Sequence, residues 1–223
     1  VPLPKAGGGE KRYLDHGQVL ALAEAAGDYG IVVRTLAYCG LRFGELAALR
    51  VGDLDPLRRR LTVAGSATEV GGHMIFGAPK SNHSRSVPVP RTLAEELAAH
   101  VIGRPPEALV FTSPTGGVLW LRNFRRRVFD PAARSVGLDG LTPHILRHTS
   151  ASLAVSAGAN VKAVQRMLGH ASAAMTLDVY SGLFDDDLDG VADRMDAVAA
   201  KAVVPPVCPK PSVIPITRSE TAV

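Results

Sequence analysis

Cysteine is almost missing from this sequence, and what little there is excludes two structural devices. Cys39 and Cys208 fit no metal-ligand spacing, and the second lies in a proline-rich stretch, so neither a disulfide framework nor a zinc site is expected. A reducing cytoplasm suits such a chain. Long apolar runs are also absent: none approaches the roughly 20 residues a membrane span needs. No secretory signal pattern and no internal repeat of solenoid length is found. The chain begins at Val1, and VPLPKAGGGEK reads as linker, which predicts a C-terminal part of a longer protein: linker over 1–11, one domain over 12–200 and a disordered tail over 201–223. That tail includes five prolines between residues 203 and 223 and has no periodicity.

What is present is an ordinary globular composition with an uneven charge. The 223 residues are 46% apolar and 21% charged, and a domain of this length buries roughly 70–75% of its unfolded surface, enough for its own core. Net charge is +4, but residues 1–184 carry 21 Lys/Arg against 14 Asp/Glu, whereas residues 185–196 carry six Asp against one Arg. A basic body with an acidic tail helix suits a polyanion partner, because phosphate contacts release condensed counterions. A solvated basic surface explains the charge equally well.

The periodicity is mostly helical. LDHGQVLALAEAA opens at a candidate N-cap, Asp15, and repeats apolar residues at helical spacing; a second helix is expected from Gly30 to Tyr38. Gly40 breaks the pattern, and LRFGELAALRVGDLD resumes it as a short helix ending near Val51, with Arg42 in its first turn. Backbone N–H groups there favour anions, so that arginine is a candidate phosphate ligand. Between Leu61 and Val89 short β-prone runs are divided by Gly71-Gly72 and by SNHS, predicting a three-stranded antiparallel meander with Lys80 at the mouth of its second hairpin. Arg91–Val101 is helical and ALVF extended. In LWLRNFRRRVFDPAARSVG, spacings of three and four put Arg122, Arg125 and Arg126 on one helix face, where they present guanidiniums to a DNA backbone or simply to water.

Chemistry concentrates in the 37 residues from His144 to Tyr180. Pro143 is a good first helical residue, so a helix runs from His144 to about Gly158; Asn160 caps the next, which closes at Leu168-Gly169. His144, Arg147 and His148 share one face of the first helix, His170 follows the second, and Tyr180 lies one turn into a third. The His144/His148 pair suggests a metal, but a helical zinc-protease motif puts glutamate directly after its first histidine. Here Ile145 stands in that place, and Arg147 opposes a divalent cation. A phosphodiester fits better: arginine binds non-bridging oxygens bidentately and imidazole moves protons near neutral pH. Tyrosine is only about one part in a thousand ionised at pH 7, so a tyrosine nucleophile needs cations or a base nearby. Past Tyr180, Leu188, Val191, Ala192, Met195 and Val198 form an apolar stripe on a helix rich in aspartate.

Four ordered stretches, AYCGLRFGELAALRVGDLD, APKSNHSRSVPVP, HILRHTSASL and MLGHASAAMTLDVY with its terminal tyrosine, together resemble the catalytic domain of the tyrosine recombinase (phage integrase) family over roughly residues 12 to 200. The resemblance implies a mainly α fold with a small three-stranded β-meander, and DNA strand cutting and rejoining without metal or ATP. It implies that Arg42 and Arg147 clamp the scissile phosphate, Lys80 protonates the 5′-hydroxyl leaving group, and His144 is a general acid/base. His170 would support the transition state and Tyr180 would form a 3′-phosphotyrosyl bond. Tyr180 follows His170 by ten residues, one more than in many members, and Asp178 sits beside it. Arg85, Arg122, Arg125 and Arg126 are the expected DNA-binding residues. The implied partners are double-stranded DNA attachment sites, a homotetramer on synapsed DNA with the 187–200 helix docked on a neighbour, and an excisionase or host bending factor. The implied setting is the nucleoid of a bacterial cytoplasm. Two other readings fit the same residues: a DNA-binding or assembly module that no longer cuts, and a nicking-and-closing topoisomerase.

Overall fold

The computed structural model describes residues 13–79, 84–180 and 188–201. Its core is organised on one buried helix. Helix α1 (His16–Ala25) starts where the Asp15 side chain accepts from the Gln18 backbone N–H at 2.8 Å and the Gln18 side chain returns the bond to the Asp15 N–H, a reciprocal cap that stops the helix fraying. A short 3-10 turn at Gly27–Tyr29 leads into α2 (Gly30–Cys39), where eight of ten residues are buried. An almost uniformly apolar helix must be covered on every side. Packing against α2 are α1, α4 (Arg91–His100) and α7 (Pro143–Ser156). Its one buried hydroxyl, on Thr35, donates to the Ile31 carbonyl at 2.7 Å and so brings no unsatisfied polar atom into the core. Thr149 of α7 accepts from the Leu14 backbone N–H at 3.1 Å, joining the start of the described fold to its most chemically dense helix.

After α2, Gly40 adopts φ +64, and the chain turns into α3 (Phe43–Ala47), which is shorter than the sequence pattern suggests and is followed by a 3-10 turn at Val51–Asp53. The predicted antiparallel sheet is present with a different strand order. β1 (Leu54–Asp55), β2 (Arg60–Val63) and β5 (Arg85–Pro88) form it in the order β1-β2-β5, while β3 (Ser66–Val70) and β4 (His73–Gly77) make a separate hairpin. Ala64-Gly65 breaks the run that reads as one strand, so the hairpin leaves the sheet and β2 takes β5 as partner, with Val63 opposite Arg85.

The arginine-rich segment is helical in three pieces: α5 (Leu121–Phe124), a π-helical stretch at Arg125–Phe129, and α6 (Asp130–Ser135). Pro131 directly follows the widened turn, in which the Asp130 N–H reaches Arg125 O; the proline has no N–H to give the Arg127 carbonyl four residues back. Helix α7 begins at Pro143 as predicted. Helix α8 (Val161–Leu168) is capped by Asn160, whose side chain accepts from Ala163 N–H at 2.9 Å, and ends on Gly169 at φ +67. Helix α9 (Ala173–Tyr180) follows.

By packing, the chain divides into residues 1–184 and 185–223. The second unit contains α10 (Leu188–Lys201), on which Val191, Met195 and Val198 are exposed. Among the described residues no helix is long and apolar enough to cross a membrane.

Gly40 is where the fold has least freedom. A Cβ there would meet Leu168 Cδ2 at 2.7 Å and Ser150 Oγ at 3.0 Å, on a backbone already in the left-handed region. Gly40→Ala is expected to lower unfolding free energy by about 1–3 kcal/mol, read as a drop in thermal midpoint.

Candidate active site

Arg147 is the most buried cation of the expected set, at 3% exposure. It projects from α7 and donates through one NH group to Gly40 O at 2.5 Å and through the other to Leu168 O at 2.6 Å. Those two carbonyls lie at the C-terminal ends of α2 and α8, where unsatisfied C=O groups accumulate partial negative charge. A guanidinium, planar and with donors on several sides, bridges both ends at once.

Arg42 is two residues beyond Gly40 and stands at the N-cap of α3. Its backbone N–H donates to Glu45 Oε2 and its guanidinium to Glu45 Oε1, both at 2.9 Å. Glu45 is the residue that sequence reasoning missed. Its side chain is fully buried, and it also accepts two bonds from Arg85, NH1 to Oε1 at 2.9 Å and NH2 to Oε2 at 2.6 Å. Burial alone would push this carboxyl up, but Arg85 and Arg42 outweigh it and hold it below the usual carboxylate range. The spacing Arg-x-x-Glu at the head of α3 is a capping pattern, and it was the available signal.

Arg85 was expected among the DNA-binding residues. Its side chain is 9% exposed and is bonded to Glu45 and, through Nε, to Met167 O at 3.0 Å. Arg125, expected in the same role, is bonded to Asp130, with Nε to Oδ1 at 3.2 Å. Arg122 and Arg126 are exposed, as is Arg127, which was not singled out.

His144 and His148 face each other edge to face one turn apart on α7, with ring centroids 4.8 Å apart. His170 follows the α8 cap directly; its Nδ1 lies 3.0 Å from Thr176 Oγ1 on α9, and its carbonyl accepts from Gln165 Nε2 at 3.2 Å. Burial, then Arg147 and Arg42, lower the pKa of His144. Burial lowers that of His170 to about 4, helped by Arg147, Arg42, His148 and Arg85. Each histidine therefore feels the same two arginines, which puts Arg42, Arg147, His144 and His170 in one electrostatic neighbourhood.

Tyr180 is the last residue of α9, two turns into that helix rather than one, and the helix is tied to His170 through Thr176. The side chains of Tyr180 and Asp178, and all of Lys80, lie outside the described residues. Among the described residues no group of three His, Cys, Asp or Glu side chains is arranged to hold a metal ion.

Two arginines and two histidines of lowered pKa thus lie within electrostatic reach of one another in a mainly helical domain. The model for the Phage integrase family matches residues 12–186, so the chain belongs to that family. It is 31% identical over 188 residues to the integrase of Mycobacterium phage L5, covering 81% of this chain and 50% of that protein. To tyrosine recombinase XerC of Corynebacterium efficiens it is 33% identical over 154 residues, covering 67% of this chain and 44% of that protein. The chain thus spans about half the length of the curated relatives it matches. Among solved structures, the Tn1549 transposon integrase in complex with transposon right end DNA superposes with a TM-score of 0.71 at 22% identity, covering 86% of this chain and 67% of that one. That likeness establishes the fold.

The lowered pKa of His170 has a measurable consequence. An unfolded histidine titrates near 6.5 and this one near 4, so between those values the unfolded chain holds a proton that the folded chain does not. The contribution of this group to stability is therefore lost as pH falls through that window. In a histidine-selective NMR titration of the DNA-free protein, His170 is expected to stay neutral down to about pH 4.

Proposed function

We propose that this chain is the catalytic domain of a site-specific DNA recombinase that cuts and rejoins strands through a covalent 3′-phosphotyrosyl bond on Tyr180. The reading is carried by the convergence of Arg42, Arg147, His144 and His170, whose charges act on one another, at the foot of the helix that ends in Tyr180. Arg42 and Arg147 hold the non-bridging oxygens of the scissile phosphate. As the phosphorane forms, charge on those oxygens grows, and fixed guanidiniums stabilise it without reorganising.

The exchange balances in atoms and charge. The Tyr180 oxygen forms a bond to phosphorus as its proton passes to His144, and the bond to the 5′-oxygen breaks as Lys80 supplies that oxygen with a proton. His170, neutral and positioned by Thr176, donates a hydrogen bond toward the phosphate. The phosphodiester energy is kept in the tyrosyl linkage, so a 5′-hydroxyl from a second strand reverses the step, and the balance calls on neither a metal ion nor ATP.

The same proposal includes double-stranded attachment sites as substrate, exposed Arg122 and Arg126 as DNA contacts, and a homotetramer on synapsed DNA in which the helix of residues 187–200 docks on a neighbour. An excisionase or a host bending factor belongs to it as an accessory partner, and the nucleoid as its setting. The exposed Val191, Met195 and Val198 on α10 support the docking role.

The reading is tested with nicked suicide duplexes tiled across the DNA flanking the gene. The protein is expected to form an adduct that survives denaturing electrophoresis, and Tyr180→Phe to abolish it while gel-shift binding persists; an adduct undiminished in that variant refutes the assignment. Arg42→Ala is expected to slow adduct formation by about 10²-fold or more at saturating DNA, the loss typical of one charge-stabilising donor.

A further inference from the structure

Arg85 carries more bonds than a surface arginine has reason to make. Its guanidinium forks onto both oxygens of the buried Glu45 carboxylate, 40 residues away in sequence. The Nε edge donates to Met167 O, 82 residues away, in the last turn of α8. Glu45 in turn holds the backbone and the side chain of Arg42. One residue past Leu168 the chain reaches Gly169, whose φ of +67 and missing Cβ leave room for Arg85: a Cβ there would fall 2.9 Å from Arg85 Cδ and 3.0 Å from Nε. Two residues on from the end of α8 stands His170. Three chain segments that are remote in sequence therefore meet on one guanidinium. Of the two arginines paired with Glu45, Arg42 is the more exposed, at 30% against 9% for Arg85.

We propose that Arg85 is a positioning residue for the strand-transfer reaction: by bonding Glu45 and Met167 O together, it holds Arg42 and His170 in one register toward a single phosphate, and it makes no DNA contact of its own. The role rests on the recombinase reading. Fork geometry is what the position demands, since bidentate bonding to a carboxylate plus a third bond from Nε is available to guanidinium and not to an ammonium. A lysine would keep the charge and lose the coupling. This separates the role from a phosphate contact, where charge is what counts.

The test uses Arg85→Lys and the double variant Arg85→Gln/Glu45→Gln, which leaves no lone buried charge if the single change compromises folding. At saturating nicked duplex, both are expected to form the tyrosyl adduct on the order of 10²-fold more slowly than wild type, the cost of misplacing reacting groups by about an ångström. The slope of log affinity against log salt is expected to stay at the wild-type value. A wild-type adduct rate in Arg85→Lys overturns the proposal. So does a salt slope reduced by about one in the double variant with the saturating rate unchanged, because that is the signature of a lost phosphate contact. Hydrogen exchange on the DNA-free protein supplies a readout that needs no catalysis. Amides of residues 42–46 and 167–170 are expected to lose protection together in both variants, and loosening of one segment without the other overturns the coupling. If the wild-type protein forms no adduct on any duplex, the recombinase reading fails, and the exchange measurement still decides whether Arg85 couples the two segments.

Discussion

A single buried carboxylate, Glu45, sets the position of much of what surrounds it. Taking a charge out of water is costly, and in this site burial is the largest influence on the group. It is offset only by complete bonding: one backbone N–H and three guanidinium N–H groups satisfy the two oxygens. Removing one partner of such a pair leaves a stranded charge and costs about 3–5 kcal/mol, whereas the intact pair adds little net stability. Its value is therefore geometric. It fixes the first turn of α3, the first residue of β5 and the last turn of α8 relative to one another, and leaves Arg42 as the arginine that turns partly outward.

Arg147 solves a related problem with different partners. A buried guanidinium needs acceptors on several sides, and the ends of α2 and α8 supply carbonyls that a helix terminus leaves without partners. This pairing requires both helices to stop where they do, which they accomplish with left-handed glycines at 40 and 169. The glycines are thus tied to the site as well as to the fold. The electrostatic result follows directly: burial, and after it the fixed guanidiniums of Arg147 and Arg42, lower the pKa of the nearby imidazoles. His170 is neutral long before pH 7 is reached from below.

The parts of this structure that sequence made legible are those set by local rules. Asp15, Asn160 and Gly169 mark helix ends through bonds spanning three or four residues and Pro143 through its fixed backbone angle, and each does so in the structure. The residue types at Arg42, His144, Arg147 and His170 were legible through the chemistry of phosphate, and they converge. What stayed hidden depends on long-range pairing. Arg85 reads as one more basic residue on a β-strand until Glu45 is placed beside it, and nothing within a local window of sequence does that. Strand order was hidden for the same reason: Ala64-Gly65 is a weak break, and only the pairing of β2 with β5 reveals that β3 and β4 belong to another sheet. The depth of Tyr180 in α9 was missed although Ser172 marks the start of that helix, accepting from the Met175 N–H at 3.2 Å.

The arginine row shows how one backbone irregularity changes a surface. On an α-helix, residues five apart point about 140° from each other, so Arg125 and Asp130 would not meet. In a π-turn the bond spans five residues and the two come into line, which is how their side chains pair. Pro131 follows that turn and has no N–H for the carbonyl four residues back. The consequence is a redistribution of charge: Arg125 is drawn to Asp130, while Arg122, Arg126 and Arg127 remain exposed. A reader counting by threes and fours chooses Arg125 over Arg127, and the ion pair with Asp130 is not visible to that count. The distribution of charge along this row therefore depends on the Arg125–Asp130 pair as well as on the number of arginines.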